Sequence, residues 1–176
     1  GARTIDVYGV DGSYDIAKET ITLTGTTPAI TTTAFLRIFR IKVLTAGSDH
    51  VNSGTIIATA SVSNTTQAQV EIEQGQTLMA LYTVPAGQTA YMHRFYYSIN
   101  KKTAISANIR LFVKPFGGAW NLKSLLGAGS TGDNSDDRDF KIPMPIAEKT
   151  DIRMTAIANV TGGDISAGYD MVLVEN

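Results

Sequence analysis

Apolar and polar residues alternate along most of this chain. The clearest run is residues 105–114, where Ile105, Ala107, Ile109, Leu111 and Val113 alternate with Ser106, Asn108, Arg110 and Lys114, and Phe112 is the one apolar residue on the polar parity. A period of two predicts a half-buried strand with those odd positions in the core. The same period predicts strands over 3–9, 19–25, 55–62, 68–73, 77–84, 89–98, 151–160 and 165–174. Residues 75–114 read as three consecutive antiparallel strands. Val84-Pro85-Ala86-Gly87 is their first hairpin turn, since Pro pre-sets φ and Gly tolerates φ > 0. Asp11-Gly12-Ser13 is a turn signal between the first two strands.

Residues 31–44 differ. Phe35, Phe39, Ile41 and Val43 share one parity while Leu36, Ile38 and Leu44 share the other. Apolar residues on both parities predict a central strand or one covered on both faces. Residues 119–126, with Trp120, fit a strand or a short helical turn. Residues 127–139 are small and polar and read as a long loop. In 140–146, Pro143 and Pro145 remove ladder donors, so the segment is expected to be an edge strand or an extended arm. Ten or eleven short strands at this spacing predict an all-β, antiparallel β-sandwich, jelly-roll-like, in one domain over 1–176.

Composition narrows the function classes. The 176 residues carry 15 basic and 16 acidic side chains, a net charge of −1. That balance argues against a direct nucleic-acid binder, which would carry a basic excess. No apolar run reaches the roughly 18 residues that a spanning helix needs, so no membrane partner is expected. There is no cysteine, which excludes disulfides and thiolate chemistry.

Candidate chemistry is sparse. The two histidines, His50 and His93, have no partner at metal-ligand spacing. Neither a catalytic constellation nor a cofactor is expected. Asp133, Asp136, Asp137 and Asp139 crowd the 127–139 stretch, and a loop there could hold calcium, although the spacing is not that of an EF-hand. Tyr91, Tyr96 and Tyr97, with Trp120, are candidates for stacking on a glycan. Gln67, Gln69, Gln74 and Gln76 read as surface fillers. Phe35, Arg37, Phe39 and Arg40, with Pro143 and Pro145, are the candidate interface, because a two-layer sandwich covers only one face of a strand that is apolar on both.

Taken in order, the segments GARTIDVYGVDGSYD, ETITLTGTT, FLRIFRIKVLTAGSDHVNSGTI, GQTLMALYTVPAGQTAYM, KTDIRMTA and DISAGYDMVLVEN cover nearly the whole chain. This series resembles virion structural proteins of tailed marine bacteriophages, of the capsid-associated, decoration type. The resemblance implies a non-enzymatic shell component located in the virion. Its expected partners are copies of itself, as a trimer by analogy with accessories at threefold positions, and the major capsid protein or other virion proteins. The alternative is a receptor- or glycan-binding module of a phage fibre or appendage. In that group the GART strand looks internal, and this sequence starts at Gly1 rather than Met, so it is expected to be the C-terminal part of a longer chain or to lack its N-terminus.

Overall fold

The computed structural model describes residues 1–100, 105–130, 134–159 and 164–176. Among these residues there are twelve strands and no helix. Every strand pairing is antiparallel. The all-β antiparallel expectation is therefore met. The chain divides into two compact units, Gly1–Met79 and Ala80–Asn176.

The first unit is built on a sheet of order β2-β1-β3, made of β1 (Ala2–Asp11), β2 (Ile16–Thr22) and β3 (Phe35–Ala46). The turn from β1 to β2 falls at Asp11-Gly12-Ser13, as expected. The Asp11 carboxylate accepts the amides of Ser13 at 2.8 Å and Asp15 at 3.0 Å, while Tyr14 takes φ 68°. A hairpin of β4 (Ile56–Thr59) and β5 (Thr66–Val70) supplies a second layer. Ile5, Val7, Ile41, Ala68 and Val70 form the core between them. On the far edge of β3, Gly75–Thr77 adds a short rung: Val43 N–H donates to the Gly75 carbonyl at 2.8 Å and Thr77 N–H to the Ile41 carbonyl at 2.9 Å. Asn52, 1% exposed, ties this segment down. Its amide donates to the carbonyls of Gly54 and Glu71 and accepts from the Gly75 N–H, so both its nitrogen and its oxygen are engaged inside.

The apolar residues on both parities of 35–44 have a local cause. The pairing of β1 with β3 shifts between Tyr8 and Gly9 and again between Val10 and Asp11. Each bulge places an extra residue on β3 and switches which parity faces inward. Phe35, Ile38, Ile41 and Val43 thus all pack on one core. Leu36 and Leu44 are left exposed. The strand is central, between β1 and the 75–77 rung, but it is not covered by apolar layers on both faces. At the first bulge the strands press together: a Cβ on Gly9 would lie 2.0 Å from the Arg37 carbonyl oxygen and 2.8 Å from Phe35 Cδ1.

The second unit is a two-sheet antiparallel sandwich. One sheet has the order β6-β11-β8-β9, from β6 (Leu81–Thr83), β8 (Ile105–Lys114), β9 (Asn121–Ser130) and β11 (Asp151–Ala158). The other has the order β10-β7-β12, from β7 (Gln88–Asn100), β10 (Asn134–Ile146) and β12 (Asp164–Glu175). Both sheets feed the same core: Ala90, Met92 and Phe95 from β7 meet Leu111, Val113 and Ile152 from the opposite sheet. Further along, Tyr97 and Ile99 meet Ile105, Ala107 and Ile109. The predicted core positions of residues 105–113 are thus all inside.

Two expectations are corrected. Residues 75–114 do hold three strands, but β6 and β8 lie in one sheet and β7 in the other, so they are not a meander. Val84–Gly87 carries the chain between layers, with Val84 N–H bound to the Thr150 carbonyl and Gly87 at φ 71°. Residues 127–139 are not one loop. β9 continues to Ser130 and β10 begins at Asn134, each held by a long partner strand. Asp133 lies outside the described residues. Pro143 and Pro145 sit on an edge strand, as their missing donors require, and pairing with β7 lapses between Asp139 and Met144.

Candidate functional site

The outward faces of the two sheets of Ala80–Asn176 are the surfaces with the most organised chemistry. β7 has a bulge at His93, where Arg94 pairs with Asp139 and Asp170 while Met92 pairs with Met144 and Met171. Before it Tyr91 faces out, and after it Arg94, Tyr96 and Ser98 face out. Tyr91 and Tyr96 are exposed, while Tyr97 is 4% exposed and belongs to the core. Burial pushes the Tyr97 phenol up, with the Asp136 charge adding to it.

Tyr96 lies flat against the backbone of β12. A Cβ on Gly168 would sit 2.6 Å from its hydroxyl oxygen. The Arg94 guanidinium stands 5.4 Å from the Tyr96 ring centre and its Nε is 2.6 Å from Asp170 Oδ2. Asp170 raises the guanidinium pKa, and Asp137 and Asp139 add to the effect. These outward positions, together with Asp164, set four carboxylates against Arg94 and Lys141 on this face. Replacing Gly168 by alanine should rotate Tyr96 off the sheet while costing about 1 kcal/mol or less, because the obstructing atoms end a flexible side chain. Tyrosine ring shifts by NMR and a thermal melt check this; a Tyr96 signal that does not move would contradict it.

The outward face of the opposite sheet is different in kind. Leu81, Arg153, Phe112 and Leu122 form one row across all four strands, and Thr155, Arg110 and Leu125 form the next. A register shift between Leu111 and Phe112 puts both Leu122 and Leu125 on this side. Leu122, Leu125 and Ile157 are each about half exposed. The Arg153 guanidinium lies 4.1 Å from the Trp120 ring centre and 5.2 Å from that of Phe112. Its Nε is buried with no hydrogen-bond partner among the described residues. Trp120 is therefore apart from Tyr91 and Tyr96, on the other sheet, so the four aromatic glycan candidates do not form one platform.

In the Gly1–Met79 unit, the glutamines that read as filler line an open groove of about 340 Å³ with Leu78 and Met79. The signal was present in the spacing: Gln67 and Gln69 share a parity, as do Gln74 and Gln76. Of the interface candidates here, Phe35 packs on the core, Arg37 and Phe39 are half-buried, and Arg40 is exposed and donates to the Gln76 side chain. Pro143 and Pro145 belong to the other unit.

Two carboxylates in the first unit are held ionised. Asp6, 2% exposed, accepts from Lys18 Nζ at 2.8 Å and Thr20 Oγ1 at 2.6 Å. The Lys18 contact, then Thr20, lowers its pKa. Glu19 takes the amides of Thr32 and Thr33 at 2.9 and 2.7 Å, which lowers it to about 2. A depressed carboxylate stabilises the fold above its free pKa, and that contribution fades as pH falls through the folded value. Stability should therefore drop below pH about 4.5 for Glu19 and below about 3.8 for Asp6. In the variant Asp6→Asn/Glu19→Gln the acid limb should flatten, and melts across pH that superimpose on those of the wild type would contradict this.

Among the described residues no three His, Asp or Glu side chains come together as a metal site would require. Among the described residues no helix is long and apolar enough to cross a membrane. No protein-family model, no curated protein and no solved structure matches this chain.

Proposed function

We propose that this chain is a non-enzymatic structural protein of a tailed-phage virion, a capsid decoration or cement component that works as a homo-oligomer against the major capsid protein or another virion protein. The sequence resemblance supplies the kind of particle. The observation that supports a contact role best is the outward face of β6-β11-β8-β9, where Leu122, Leu125 and Ile157 stand half exposed beside the Trp120–Arg153–Phe112 stack. A sheet with one face in water normally carries polar residues there, and half-exposed leucines beside an aromatic–guanidinium stack suit a surface that a partner covers. The test is mass spectrometry of purified virions made by a host expressing this chain. Stoichiometric recovery with the shell supports the assignment, and its absence from intact particles defeats it.

A second reading is a receptor- or glycan-binding module of a fibre or appendage. It is favoured by the exposed Tyr96 ring, held between Gly168 and Arg94 beside Asp137 and Asp170. Aromatic faces with adjacent charged hydrogen-bonding groups suit sugar rings. Glycan-array binding by the wild type that is lost in Tyr96→Ala would favour it. No binding to any glycan would remove it.

A further inference from the structure

The two outward faces of the Ala80–Asn176 sandwich carry opposite charge. On β10-β7-β12, Asp137, Asp139, Asp164 and Asp170 outnumber Arg94 and Lys141. On β6-β11-β8-β9, Arg110, Lys114 and Arg153 outnumber Asp151, which is itself buried and held by Thr83 at 2.8 Å. Each face also has an apolar share: Tyr91, Tyr96 and Val172 on the first, Leu122, Leu125 and Ile157 on the second. Arg153 Nε is buried without an acceptor, an N–H that the aromatic rings beside it do not satisfy.

We propose that the acidic face of one copy of this chain binds the apolar, cationic face of the next, head to tail. The inference rests on the self-association in the reading above and names the surfaces that produce it. Like faces cannot serve. Two acidic faces would oppose carboxylates, and two cationic faces would oppose Arg110 and Arg153 with their own copies, which costs several kcal/mol per juxtaposition in general. Unlike faces pair both charge and apolar surface. They belong to opposite sheets of one sandwich, so the contact is heterologous: every copy offers one of each face and assembly extends beyond a pair.

The test uses the full chain in sedimentation velocity, with Asp137→Lys/Asp139→Lys on one face and Leu122→Asp/Leu125→Asp on the other. All four side chains are exposed, so both variants should melt near the wild type. Should either melt early, the single variants Asp139→Lys and Leu125→Asp carry the same test. The wild type should self-associate, more weakly in high salt. Each variant alone should associate at least about 30-fold more weakly. An equimolar mixture should form a dimer and nothing larger, because each variant keeps the face that the other has lost. A monomeric wild type, either variant assembling like the wild type, or a mixture that stays monomeric would overturn the proposal. A wild type that assembles head to tail yet is missing from virions would defeat the virion assignment alone. Variants that stay monomeric when mixed but enter virions at the wild-type level would defeat this contact alone.

Discussion

Gly9→Ala is expected to destabilise the Gly1–Met79 unit by about 3 kcal/mol or more. The added methyl would lie 2.0 Å from the Arg37 carbonyl oxygen, and a carbonyl in a paired strand cannot rotate aside as a side chain can. The crowding sits at the first bulge of β3, which sets the inward parity of Ile41 and Val43. The strands must part or the register must slip, and either exposes apolar residues from that core. Hydrogen exchange of the β1 and β3 amides measures the effect directly. Protection lost there in the alanine variant is the expected result, and wild-type protection would show that the bulge is not needed.

Phe95→Ala should cost the Ala80–Asn176 unit about 3–5 kcal/mol. Phe95 is fully buried among Met92, Leu111 and Ile152, with the Phe140 ring 5.9 Å away and tilted. These neighbours come from both sheets, so no single strand can close over the cavity. A leucine at the same place should recover most of the loss, roughly to within 1.5 kcal/mol of the wild type. Trp120 is the single tryptophan and lies in this unit, so denaturant curves followed by its fluorescence report on the right part of the chain. An alanine variant within 1 kcal/mol of the wild type, about the cost of an ordinary substitution, would contradict the account.

Sequence reading recovered faces better than neighbours. The period of two in β8 assigned Ile105, Ala107, Ile109, Leu111 and Val113 to the core, and each is there. Periodicity says which side of a strand is apolar, but nothing in it says which strand lies alongside. That is why β6, β7 and β8 were expected to pair in order and are instead split between two sheets. Bulges hid the rest. Two make 35–44 look apolar on both sides, and another at His93 lets Tyr91 and Tyr96 face the same way from opposite parities. Tyr97 shares the parity of Phe95 and Ile99, and on that count its place in the core was legible. Residues 127–130 gave no strand signal because Gly and Ser carry no pattern, and it is β8 that holds them extended.

The order of β10-β7-β12 also governs time. β7 pairs with nothing made before it, and both its neighbours are made later, with Gln88 waiting for Glu175. At synthesis rates on the order of 5–20 residues per second, β7 stands with both edges open for roughly several seconds, whereas a local hairpin closes in about 1–10 μs. An open strand edge is a template for any other strand within reach. The best-matched strands within reach are those of sibling chains at the same stage of synthesis. Fast expression should therefore drive this protein into aggregates that slow expression avoids, with no difference in the stability of the finished molecule.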